Sequence, residues 1–202
     1  MITNTMTYTE LSKELFKLNS TFSMRGDGWL KKYHKEINEW GTQCRSCQKI
    51  DTNLYFILVA NRNKIMQRFG FIYLILKDNK WIAILQADTK NGFDVDMEIY
   101  EPHFFSRYNE RFNVDKTGID LMFQYFKDNV SEFSVVKKQE HNSKTYRLSN
   151  IKNGMAICEV VEVGRKMICF YKTYISNNML SKKQTDMKEV IEKELDRLNK
   201  IK

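Results

Sequence analysis

Proline is nearly absent: the 202-residue chain holds one, Pro102. There is no internal repeat, no low-complexity stretch and no clear linker, so a solenoid or a beads-on-a-string architecture is excluded. No segment approaches the ~18 consecutive apolar residues that a membrane span needs. The longest apolar runs, residues 54–60 and 71–76, suit buried elements. The first residues lack a charged n-region and an apolar h-region, so no signal peptide and a cytoplasmic location are expected. There is no Walker-type loop, dinucleotide-binding glycine fingerprint or Gly-x-Ser-x-Gly elbow, which removes most of the basis for nucleotide-dependent or serine-hydrolase chemistry. Cysteines number four. Cys44 and Cys47 form a lone Cys-x-x-Cys, whereas Cys158 and Cys169 lie far downstream and look like strand residues. A structural zinc site usually has two close-spaced pairs, and the second is missing. Inert thiols are the expectation, with metal binding at Cys44 and Cys47 left open. No cofactor and no metal is expected.

What is present is a soluble-type composition with an excess of positive charge: 42% hydrophobic, 13% aromatic, 29% charged, net +8. The length suits one domain, or one domain with a helical extension. Net positive charge favours polyanions, RNA first and DNA as an alternative, through phosphate contacts. Lysine-rich coding bias produces the same sign, so charge alone decides little.

Periodicity gives the layout. Residues 8–40 read as helical: Leu11, Leu15, Phe16 and Leu18 form one stripe, Gly26-Asp27-Gly28 breaks it, and Trp29 to Trp40 form a second, ended by Gly41. Residues 54–69 are ambiguous, starting like a strand and continuing from Ala60 like a helix. From residue 70 the period is two. Residues 71–76, 81–87 and 93–100 predict a three-strand antiparallel meander, with Asp78-Asn79 and Asn91-Gly92 at its turns. Residues 117–127 repeat apolar positions at helical spacing. Residues 137–150 read mostly as loop, with a short strand open at Thr145–Leu148. Residues 155–163 and 166–175 predict a hairpin turning at Gly164-Arg165, which sets Cys158 opposite Tyr171 and Glu159 opposite Phe170. A final amphipathic helix begins near Thr185. The fold class is therefore α+β: mostly antiparallel sheet, a meander plus a C-terminal hairpin, flanked by helices. Residues 1–65 are expected to be a helical N-terminal region, and 66–202 the α+β part carrying the site.

The most informative stretch is residues 101–112, Glu-Pro-His-Phe-Phe-Ser-Arg-Tyr-Asn-Glu-Arg-Phe. Pro102 suits the first position of a helix. At about 100° per residue, Phe104, Phe105, Tyr108 and Phe112 share one side, while His103, Arg107, Glu110 and Arg111 share the other. An imidazole and two guanidiniums together can hold a phosphate and move a proton. On the hairpin, simple alternation puts Glu159, Lys172 and Tyr174 on one face and Ala156, Cys158, Cys169 and Tyr171 on the other.

The spacing His103-x-x-x-Arg107-x-x-x-Arg111, followed by a helix, an antiparallel strand pair and Lys172-Thr173-Tyr174, resembles the barnase–EndoU–colicin–RelE superfamily of endoribonucleases, in particular its toxin-like branch, over about residues 99–176. The resemblance implies metal-independent RNA cleavage by attack of the 2′-OH on the adjacent phosphate. His103 would move a proton and Arg107 and Arg111 would hold the phosphoryl oxygens. Glu159, Lys172 or Tyr174 would be the second proton carrier. A protein inhibitor is a possible partner; no membrane is.

Three readings stay open. The second is a non-catalytic module that binds nucleic acid or a protein through the same basic helix. The third is a Mg²⁺- or Mn²⁺-dependent hydrolase on Asp94, Asp96 and Glu98, which alternate onto one strand face. The bland alternatives are a solvated helix side, with Glu110 pairing Arg107, and an exposed acidic strand face.

Overall fold

The period-two pattern does build an antiparallel sheet, and a larger one than it announces. A computed structural model describes residues 2–3, 5–32, 42–62, 67–86, 97–129, 137–141, 144–151, 154–163, 166–182, 184–186 and 189. Its strands are β1 (Thr42–Asp51), β2 (Leu54–Arg62), β3 (Gln67–Lys77), β4 (Lys80–Gln86), β5 (Met97–Tyr100), β6 (Lys137–His141), β7 (Lys144–Ile151), β8 (Gly154–Val163) and β9 (Lys166–Ser176). They join in one nine-stranded sheet of order β1-β2-β3-β4-β5-β9-β8-β7-β6 among the described residues. Every pairing is antiparallel except the central β5–β9 seam, which is parallel. The helices are α1 (Tyr8–Lys32), α2 (Pro102–Phe112) and α3 (Gly118–Asn129). The protein is therefore α+β.

Both faces of the sheet are covered. Leu11 and Leu15 of α1 bury against Phe56, Tyr73, Ile84, Ile99 and Ile168. Phe104 and Tyr108 of α2 and Tyr125 of α3 bury against Leu74, Tyr100, Tyr171 and Tyr174 on the opposite face. A strand between two covered faces carries apolar side chains both ways, which is why Met97 and Ile99 pack toward α1 while Tyr100 packs toward α2.

Several expectations change. Helix α1 runs through Gly26 and Gly28 without a break. A glycine inside a helix costs only about 1 kcal/mol relative to alanine, less than burying Leu11 and Leu15 returns. Phe16 is not in the stripe but 60% exposed. Residues 33–41, with the second stripe's end at Trp40 and the stop at Gly41, lie outside the described residues. The expected helix from Ala60 is strand instead, because β2 continues to Arg62 and pairs with β3 through Ala60–Phe69 and Arg62–Gln67. The stretch holding Cys44 and Cys47 is strand β1, paired to β2. The described residues of 1–65 thus include one helix and two strands of the common sheet. The polar stretch is strand where it is described: β6 and β7, the latter containing the short strand expected at Thr145–Leu148, extend the sheet beyond β8.

Other expectations hold. Asp78 and Asn79 have φ of 49° and 58°, the left-handed pair that a tight hairpin turn between β3 and β4 requires. Cys158 pairs with Tyr171 and Glu159 with Phe170. The Asn91-Gly92 turn, Gly164-Arg165 and the whole C-terminal stripe (Met187, Val190, Ile191, Leu195, Leu198) lie outside the described residues.

Candidate functional site

Helix α2 leaves β5 directly, and the sequence fixes both its ends. Pro102 occupies the first turn, and Asn113 stops the helix in the left-handed conformation, its N–H donating to the Asn109 carbonyl. Phe104, Phe105 and Tyr108 bury, while Phe112 is at the margin. Tyr108 is pinned further by a 2.6 Å hydrogen bond from its hydroxyl to Asp128 of α3. This seat fixes the outer flank. His103, Arg107 and Arg111 stand at successive i+4 positions, each displaced by about 40° from the last.

The three groups have different surroundings. His103 is exposed. Arg107 is bonded through Nη1 to Glu110 at 2.8 Å, with both side chains largely in water, an arrangement worth only about 0.3–0.5 kcal/mol. Arg111 is half-buried, its Nη1 is sealed from solvent without a hydrogen-bond partner, and no carboxylate among the described residues pairs with it. Its charge lies close enough to the Tyr174 hydroxyl to favour the phenolate, although burial dominates and keeps Tyr174 protonated. That hydroxyl is also buried and unpartnered.

The hairpin residues require a correction. Alternation placed Tyr174 with Glu159 and Lys172. Ile157 pairs with Thr173 while Cys158 pairs with Tyr171, so Lys172 is an extra residue in β9, a β-bulge. Past the bulge the faces exchange, and Tyr174 turns under α2 beside Tyr108 and Phe112. Lys172 instead pairs with Glu101 at 2.8 Å and lies over the Phe170 ring, and Phe170 packs toward α1. Glu159, opposite Phe170, pairs with Lys144 at 2.8 Å. The structure therefore brings Arg111 and Tyr174 together and sends Glu159 and Lys172 to the other side of the sheet. None of the candidates for second proton carrier stands free beside His103.

A polar cluster that the sequence did not announce lies under the helices. Glu98, expected on an exposed acidic strand face, faces inward because β5 sits mid-sheet. Its carboxylate accepts from the Tyr100 hydroxyl at 3.0 Å. Tyr171 stacks on Tyr100 with ring centroids 4.2 Å apart and meets Ser149 at 3.0 Å. Arg147 on β7 acts on Glu98 electrostatically. Burial raises the Glu98 pKa, and Arg147 and the two tyrosines only partly offset it. The sign follows: the folded protein holds this proton more tightly than the unfolded chain, so Glu98 favours folding below its unfolded pKa of about 4.3 and loses that contribution as pH rises through the folded value. We expect Glu98→Gln to flatten this fall in urea midpoint between acidic and neutral pH and to raise stability at neutral pH. An unchanged pH profile would show that Glu98 is not the group responsible.

Asp94 and Asp96 lie outside the described residues, among which no group of three or more His, Cys, Asp or Glu is placed to hold a metal ion. No described helix is long and apolar enough to cross a membrane. No protein-family model, no curated protein and no solved structure matches the chain.

Proposed function

We propose that the protein binds RNA through the outer flank of α2, with Arg111 as the anchor and Arg107 and His103 extending the contact along the strand. One observation carries this reading: Arg111 is half-buried with no carboxylate partner. A guanidinium drawn partly out of water without a counter-charge is unfavourable alone and gains most from an incoming anion. Its planar fork suits a phosphate, and packing toward Tyr174 restricts it before the ligand arrives. Arg107 can trade its weak pairing with Glu110 for a phosphate, and the net charge of +8 adds long-range attraction.

Binding is tested with labelled RNA and DNA oligonucleotides across a salt series. Arg111→Ala is expected to weaken RNA binding tenfold or more and to reduce the salt slope by about one. Its unfolding midpoint should stay near wild type, because the lost group has no partner to leave behind. Affinity that ignores salt, or that survives Arg111→Ala intact, removes the proposal.

RNA scission is a second reading, favoured by the exposed imidazole of His103 one turn before Arg107. It needs another proton-handling group, which the ion-paired Glu159 and Lys172 and the sealed Tyr174 do not supply from where they stand. Cleavage of RNA in EDTA by wild type but not by His103→Ala supports scission; intact RNA after hours leaves binding alone.

A further inference from the structure

Cys158 and Cys169 lie on neighbouring strands and face the same helix-covered side, two residues out of register: Cys158 is opposite Tyr171, and Cys169 is opposite Val160. Both are free and buried. The two thiols lie close enough to act on each other's ionisation, with Cys158 favouring the Cys169 thiolate. Arg147, directly across from Cys158 on β7, supplies a donor, Nη1 to Cys169 Sγ at 3.9 Å. Glu98 stands directly across from Cys169 on β5. Cys169 is the thiol that ionises first, because the neighbouring Cys158 thiol and the Arg147 guanidinium outweigh burial and Glu98.

We propose that Cys158 and Cys169 are a reversible redox pair, converted by hydrogen peroxide into a disulfide linking β8 to β9. The Cys169 thiolate attacks one peroxide oxygen and the O–O bond breaks. Cys169 becomes a sulfenic acid, and the departing hydroxide leaves as water with one thiol proton. The Cys158 sulfur then attacks Cys169, the S–O bond breaks, and a second water carries off the remaining thiol proton. Two thiols lose two electrons and one peroxide gains them. Burial selects the oxidant: peroxide is close to water in size, whereas glutathione disulfide cannot reach either sulfur. Diagonal strand neighbours are set wider apart than a relaxed disulfide, so the bond forms under strain and is readily reduced. The bulge at Lys172 gives β9 the slack to close it.

The test uses the full chain carrying Cys44→Ser and Cys47→Ser, so that only this pair can react. After brief treatment with peroxide in small excess, alkylation under denaturing conditions should find no free thiol. The intact mass should fall by two hydrogens, and dithiothreitol should restore both thiols. Glutathione disulfide should leave them free. Peptide mapping of the wild-type chain should recover the Cys158 and Cys169 peptides linked, which requires no substitution at all. In Cys158→Ala the reaction should stop at a Cys169 sulfenic acid that dimedone captures once the chain is unfolded in urea. Two alkylatable thiols after peroxide, or oxidation of Cys169 straight to sulfinic acid with Cys158 still free, overturns the proposal.

Discussion

Phe104→Ala should lower the stability of the protein by about 3–5 kcal/mol, the range for emptying a closed aromatic site, and should shift its thermal midpoint down by roughly 6–20 °C for a chain of this size. The reasoning starts from its neighbours. The Phe104 ring is fully buried and lies edge-on to Tyr100 at 5.4 Å, Tyr125 at 5.0 Å and Tyr171 at 5.9 Å. These rings come from β5, α3 and β9, so a single side chain locks α2 to three elements. Edge-to-face pairs add about 0.5–1.5 kcal/mol each beyond burial. None of these rings can collapse inward, because Tyr100 and Tyr171 are themselves held by stacking and by hydrogen bonds to Glu98 and Ser149. The cavity therefore stays open. Phe104→Leu should cost much less. RNA affinity should fall with Phe104→Ala, since α2 positions Arg111, and the contrast with Arg111→Ala separates the two roles: one variant loses stability and affinity together, the other affinity alone. A urea midpoint for Phe104→Ala within about 1 kcal/mol of wild type would mean that α2 is seated by something other than this aromatic cluster.

The parts of this architecture that were legible in the sequence are those in which one local rule decides. Asp78-Asn79 could be read because few residue pairs adopt two left-handed conformations in succession. Helix α2 could be read because Pro102 opens it and Phe104, Phe105 and Tyr108 repeat at its period. The β8–β9 register followed from a two-residue loop. The misreadings arose where distant chain segments decide. Ala60 to Phe69 has the polarity of a surface helix, yet β3 offers a full ladder of backbone partners, and pairing outweighs local propensity. Lys137–His141 looks like loop because an edge strand can be polar and still hydrogen-bond along one side. Glu98 alternates with apolar neighbours as an exposed residue would, and only the helices folded over β5 turn that face into an interior. Simple alternation puts Tyr174 on the wrong face because it carries no memory of an inserted residue. The bulge at Lys172 leaves no signature in the sequence Tyr-Lys-Thr-Tyr, and it decides which residues meet Arg111.

Gly154→Ala should be the most damaging single-methyl change in the hairpin. An added Cβ at Gly154 would lie 2.0 Å from the Ile175 carbonyl oxygen, 2.9 Å from its carbonyl carbon and 3.0 Å from Ser176 Cα. All three are backbone atoms, so no rotamer change can relieve the overlap. The strands must separate, and they are paired there through Gly154–Ser176 and Met155–Ile175. The Ala156–Tyr174 pair follows immediately, so separation also moves the ring beneath Arg111. We expect a loss of about 3 kcal/mol or more, the upper end for overpacking, with a changed near-ultraviolet tyrosine signal and weaker RNA binding. Gly118→Ala is the matched control. Gly118 has a φ of +54°, but a Cβ there meets nothing within 4 Å, so its cost is the left-handed backbone alone, about 1–2 kcal/mol. If Gly154→Ala costs no more than Gly118→Ala, the close approach of β8 to Ile175 is wrong, and with it the position of Tyr174 under α2.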